Sequence, residues 1–101
     1  LHHWRLGRAL AGLAAEGVLV IGSGALTHNL ADWRAQRGTP SAESVPAYVD
    51  EFSTWVAARI AAHDVDALLA YHERAPHAAR AHPSPEHLLP LFVALGAAGV
   101  S

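Results

Sequence analysis

The sequence predicts an α/β fold: a strand in a mixed or parallel sheet with flanking helices, one clear strand and about four helices in 101 residues. Three observations carry this expectation. Val18-Leu19-Val20-Ile21 is a short unbroken run of β-branched and aliphatic residues, the pattern of a strand covered on both faces. Gly22 and Gly24 follow at once, allowing a sharp turn at the strand's C-terminal edge, where open α/β sheets place their ligand sites. Segments of helical apolar spacing lie on both sides of this run. A single strand cannot make a sheet, so the chain reads as a fragment of a larger α/β protein.

In chain order, Leu6, Leu10 and Leu13 recur at steps of four and three, predicting an amphipathic helix over His3–Glu16 that Gly17 stops. The strand comes next, then a helical turn over Asn29–Arg34. Gln36–Ser44, with Gly38, Pro40 and two serines, reads as a surface loop. Val45, Val49, Phe52, Val56 and Ile60 form the clearest stripe and predict a helix from Ser44 to His63, with Trp55 widening its buried face. A shorter helix is expected over Val65–Arg74, contacting the core through Leu68, Leu69 and Tyr71. Pro76 interrupts it, and Ala78–Ala81 resumes as a turn. The last element is expected to start at Ser84 as N-cap, with Pro85 at the first helical position and Glu86 at the positive end of the dipole. Its core stripe would be Leu88, Leu91, Phe92 and Leu95, with Pro90 bending the second turn.

Composition narrows the function. Hydrophobic residues make up 51% of the chain, enough for a packed core. The net charge is −2 and the seven basic residues, all arginines, are scattered, so there is no basic stripe for nucleic acid. No apolar run approaches the roughly 20 residues of a membrane span. Cysteine is absent, which excludes disulfides and thiolate metal sites and favours a cytoplasmic setting. Histidine is the outlier, with eight residues, and points to imidazole metal binding or acid–base work.

Two histidines stand out. The strand and glycine turn would aim His28 at the sheet edge; the competing reading is a loop histidine bonded to local backbone, with Asn29 closing a turn. His87 would sit in the first turn of the final helix, whose positive end favours neutral imidazole, the usual ligand form. The bland alternative is an ordinary first-turn histidine. His82 lies close by and reads as a loop residue. His63, His72 and His77 read as solvated helix-end or loop positions, and His2 and His3 lie at the start of the chain. Gly22-Ser23-Gly24 lacks the third glycine of a dinucleotide loop, where Thr27 stands instead. Neither a G-x-S-x-G elbow nor an H-E-x-x-H motif is present.

The block Gly17-Val18-Leu19-Val20-Ile21-Gly22-Ser23-Gly24-Ala25-Leu26-Thr27-His28-Asn29-Leu30 resembles the G-V-L-I-x-G-S-G-x-x-x-H-N-L block of the class III extradiol ring-cleaving dioxygenases, in their DOPA-dioxygenase-like branch. His82-Pro83-Ser84-Pro85-Glu86-His87-Leu88-Leu89-Pro90-Leu91 is similar to that family's second block, P-x-P-E-H-x-x-P-L leading into L-G-A. The resemblance covers nearly the whole chain. It implies that residues 1–101 are the C-terminal portion of a single catalytic domain. That domain would open a catechol-type ring with O2 beside, not between, the hydroxyls, using Fe(II) or, in some members, zinc. By matching positions, His87 corresponds to a metal ligand, and His28 to an acid/base that can also approach the metal. His82 falls at a variable position and takes no role. The implied partners are a small aromatic diol and O2, with no nucleic acid and no membrane. The family's other metal-binding histidines lie in blocks like G-H-G-S-P and S-A-H-W, which this sequence lacks, so the fragment alone is expected to be inactive. The competing function is a protein of the same fold that binds a metal or a protein partner without oxygenase chemistry.

Overall fold

Apolar residues at steps of three and four form a helix wherever their common face finds a surface to cover. The computed structural model describes residues 1–35 and 46–99. Among these residues there are seven α-helices: α1 His2–Leu10, α2 Leu30–Ala35, α3 Ala47–Ala61, α4 Val65–Leu69, α5 Tyr71–Arg74, α6 Ala78–Ala81 and α7 Leu89–Ala97. A 3-10 turn, Ala11–Glu16, continues α1.

The core lies between α3, the α4–α6 run and α7. Phe52 and Val56 of α3 meet Leu68 and Tyr71, and Leu88, Phe92 and Leu95 close the cluster from the other side. The α3 stripe therefore holds as read, with Val49, Trp55 and Ile60 half-buried against the core. Val45, Ser44 and the loop read over Gln36–Ser44 lie outside the described residues. The helix read over Val65–Arg74 divides at Ala70, the shared boundary of α4 and α5. Asp64 caps α4 by accepting the Ala67 N–H at 3.1 Å. The chain leaves α5 through Ala75 in an extended conformation, as the residue before Pro76 should.

At the N-terminus, α1 and its 3-10 continuation end at Gly17, whose left-handed φ of 76° turns the chain so that the Val18 N–H reaches the Leu13 carbonyl. The main packing partner of α1 is α7. Gly7 and Gly96 meet at this crossing, and a methyl on either would strike backbone of the other helix. The α1 surface that counts is thus the small-residue one; Leu6 stays exposed.

Two expectations are corrected. The final helix begins at Leu89, not at Pro85. In a helix started at Pro85, Pro90 would withhold an N–H needed by the Glu86 carbonyl and press its ring on that carbonyl. Starting at Leu89 puts Pro90 in the first turn, where the missing N–H costs nothing. Residues 84–88 form turns instead, and the Ser84 hydroxyl donates to Glu86 Oε1 at 2.8 Å rather than capping a helix.

The larger correction concerns the fold class. Among the described residues there is no strand and no sheet, so the mixed-sheet α/β expectation is replaced by an all-helical arrangement. Val18–Ile21 runs as irregular backbone, with Leu19 80% and Ile21 76% exposed. Its composition suits a strand, but a strand exists only as one side of a ladder, and no segment among the described residues pairs with it. The chain instead lies against the start of α7. Gly22 and Gly24 are needed there for space and not for their backbone angles. A side chain at Gly22 would collide with the Pro90 carbonyl, and one at Gly24 with the His87 carbonyl. Neither glycine has a positive φ.

Candidate active site

The loop between the glycines and α2 is held by backbone. Asn29 caps α2, its Oδ1 accepting the Asp32 N–H at 3.0 Å, as a short polar side chain ahead of a helix should. This places His28 immediately before the cap. The facing segment, from the end of α6 to the turns before α7, grips this loop through main-chain groups. The Ala25 N–H donates to the His87 carbonyl at 2.8 Å, and the His28 N–H donates to the Ala81 carbonyl at 2.8 Å. Asn29 Nδ2 donates to the Arg80 carbonyl at 2.7 Å.

These bonds bring the two singled-out histidines together from opposite ends of the chain. The rings of His28 and His87 stack with centroids 3.5 Å apart and planes 19° from parallel. Glu86 flanks the pair, its Oε1 lying 4.0 Å from His87 Nε2. Its carboxyl is held below the usual range, first by a hydrogen bond from its own backbone N–H and then by the Ser84 hydroxyl.

Behind the loop sits His82, which the sequence reading left without a role. It is 1% exposed, and its Nε2 lies 2.6 Å from the Leu26 carbonyl. The rings of Phe52 and Tyr71 pack on it at centroid distances of 5.6 and 6.4 Å. Burial pushes its imidazole below the ordinary histidine value. A carbonyl oxygen only accepts, so the bond to Leu26 puts a ring proton on Nε2. Nδ1 has no partner among the described residues. A signal for this burial was available. Ala78, Ala81 and His82 share one face at helical spacing, and all three are buried. His63, His72 and His77 are exposed as read, and His77 pairs with Glu51 across the surface.

A polar cluster braces the other side of His28. Arg80 Nε donates to Asp32 Oδ2 at 2.9 Å, and its guanidinium lies 4.0 Å over the Tyr48 ring. Tyr48, and then Arg80, hold the Asp32 carboxyl below its ordinary value. Burial, and then Asp32, push Tyr48 up to about 12, so its hydroxyl remains a donor. Between this cluster and His28 opens a groove of about 420 Å³, walled by Trp33, Pro46 and Val49.

The donor set bears on a metal. The stacked rings supply two imidazoles, and no group of three metal-ligating side chains occurs among the described residues. Two imidazoles are fewer than the three or more protein ligands of a non-haem metal site, so the pair can supply part of such a site and not the whole.

Comparison with known proteins identifies the family. The family described as the catalytic LigB subunit of aromatic ring-opening dioxygenase matches residues 2–101. The "4,5-DOPA dioxygenase extradiol" of Beta vulgaris is 41% identical over 99 residues, covering 97% of this chain and 35% of that protein. The protein of the same name in Portulaca grandiflora is 41% identical over 100 residues, covering 97% and 35%. That of Escherichia coli (strain K12) is 36% identical over 98 residues, covering 94% and 34%. The chain thus spans about a third of the length of these curated relatives. With the family model covering residues 2–101 and a relative 41% identical over 97% of the chain, the chain belongs to the family of the catalytic LigB subunit of aromatic ring-opening dioxygenases.

Proposed function

We propose that the protein carrying this chain cleaves a catechol-type ring with O2 at the bond beside its hydroxyls, with residues 1–101 forming the C-terminal portion of one catalytic domain. The observation that carries this reading is the stacked pair of His28 and His87. The family match and the dioxygenase names of the relatives support the same chemistry.

In this reading His87 holds a non-haem metal, Fe(II) before zinc, together with ligands from outside this chain. When bound, that ion supplies Lewis-acid binding of the two catechol oxygens and a position for O2. His28 takes the second hydroxyl proton on a ring nitrogen and returns it as the ring opens. Its backbone bond to Ala81 and the Asn29 cap hold the loop that carries the ring beside His87, so little motion is needed at the moment of transfer. The apolar wall of Trp33 and Val49 offers a flat aromatic substrate a surface on the His28 side.

The test is anaerobic Fe(II) loading of the full-length protein, followed by O2 and a panel of catechols. A yellow ring-opened product is expected. Bound iron with no product from any catechol overturns the reading.

A further inference from the structure

The geometry points to His82 as a positioning residue that fixes the His28 loop against the hydrophobic core through the bond from its Nε2–H to the Leu26 carbonyl. The proposal rests on the acid/base reading of His28 given above.

The loop from Leu26 to Asn29 has three holds on the α6 end: the Arg80 carbonyl, the Ala81 carbonyl and the His82 ring. The first two acceptors are backbone carbonyls that any residue at positions 80 and 81 would supply, the Arg80 one reached by the Asn29 side chain. Only the third draws on a side chain of the α6 end. That side chain is almost fully buried, and the Phe52 and Tyr71 rings leave it little freedom to turn. Both rings belong to the core cluster that α3, α5 and α7 build. His82 is thus a rigid rod with one end in the core and the other on the backbone two residues before His28. The side chains next to this bond do not anchor the loop: Leu26 is exposed, and the Thr27 hydroxyl is buried without a partner among the described residues. A buried donor in a packed setting gives direction as well as attraction, since a turned ring would strand both the N–H and the carbonyl. His28 acts from a loop, and an acid/base misplaced by about 1 Å can lose about 100-fold in rate.

His82→Met and His82→Gln in the full-length protein separate the hydrogen bond from the packing. The two side chains are close in size, and glutamine keeps an N–H donor that methionine lacks. Two quantities are read: steady-state kinetics with a catechol, and hydrogen exchange of the His28 amide in the metal-free protein, with core α3 amides as reference. For His82→Met we expect kcat to fall roughly 10- to 100-fold with KM within about threefold. The His28 amide should exchange about tenfold faster while α3 protection is retained. His82→Gln should stay within about threefold of wild type in both. If His82→Met matches wild type, or the two variants behave alike, the proposal is overturned. If wild type opens no ring, the functional reading falls, and the exchange comparison still decides whether His82 holds the loop.

Discussion

Gly96 of α7 lies so close to Gly7 of α1 that a methyl group on Gly96 would fall 3.0 Å from the Gly7 carbonyl carbon and overlap the Trp4 carbonyl. The crossing sets where α7 runs, and so where the turn carrying His87 stands. In an isolated helix, glycine to alanine gains about 1 kcal/mol. Here backbone blocks the methyl and cannot swing aside as a side chain would, so overpacking dominates. We expect Gly7→Ala and Gly96→Ala each to cost about 3 kcal/mol, seen as a lowered midpoint in urea unfolding. An unchanged or raised midpoint would contradict this packing.

Gly24 tests the site more directly. A side chain there would push on the His87 carbonyl, which accepts the Ala25 N–H at 2.8 Å. Gly24→Ala should therefore separate the two blocks locally and lower kcat more than tenfold, while the α3–α7 core keeps its circular dichroism. Kinetics within twofold of wild type would show that the block contact is not needed.

The two stacked histidines should fail in different ways. His28→Ala should lower kcat by about 10² to 10⁴, the range of a general acid/base, with iron still bound. His87→Ala should lower the iron bound per protein, read by elemental analysis after gel filtration. Equal iron content in both variants would count against His87 as a ligand.

Stability should depend on pH through His82. Burial holds its imidazole below the ordinary value of 6.5. Below pH 6.5 the unfolded chain takes up a proton that the folded ring refuses, so stability falls as pH drops toward the folded value and then levels off. Above pH 6.5 this histidine contributes no slope. Asp32 adds a second loss at lower pH. Its carboxyl is held down by Tyr48 and then by Arg80, so its contribution is present above the ordinary carboxylate value and disappears as pH falls through the folded one. Urea midpoints at pH 7.5 and 5.5 should differ less for His82→Gln than for wild type. An identical pH difference in the two proteins would rule out His82 as the source.

Local signals were read well where the physics is local. The α3 stripe, the Gly17 stop, the helical turn after Asn29 and the break before Pro76 each depend on neighbours within a few residues. Both histidine blocks were legible as motifs. At Pro90 two local signals conflict: Ser84 is a good cap, but the N–H that Pro90 lacks decides against a helix begun there.

By itself, then, the sequence determined most of the helical stretches and pointed to two histidines in blocks that resemble the family's. Tertiary structure decided whether Val18–Ile21 becomes a strand, since a ladder needs a partner elsewhere in space and none is paired with it among the described residues. It decided that Gly22 and Gly24 serve close approach, because only the path of α7 creates that crowding. It also decided that His82 lies inside and that His28 meets His87. Both depend on which distant segments fold against each other, and that is set by the core of Phe52, Leu68 and Phe92 and not by any short run of residues.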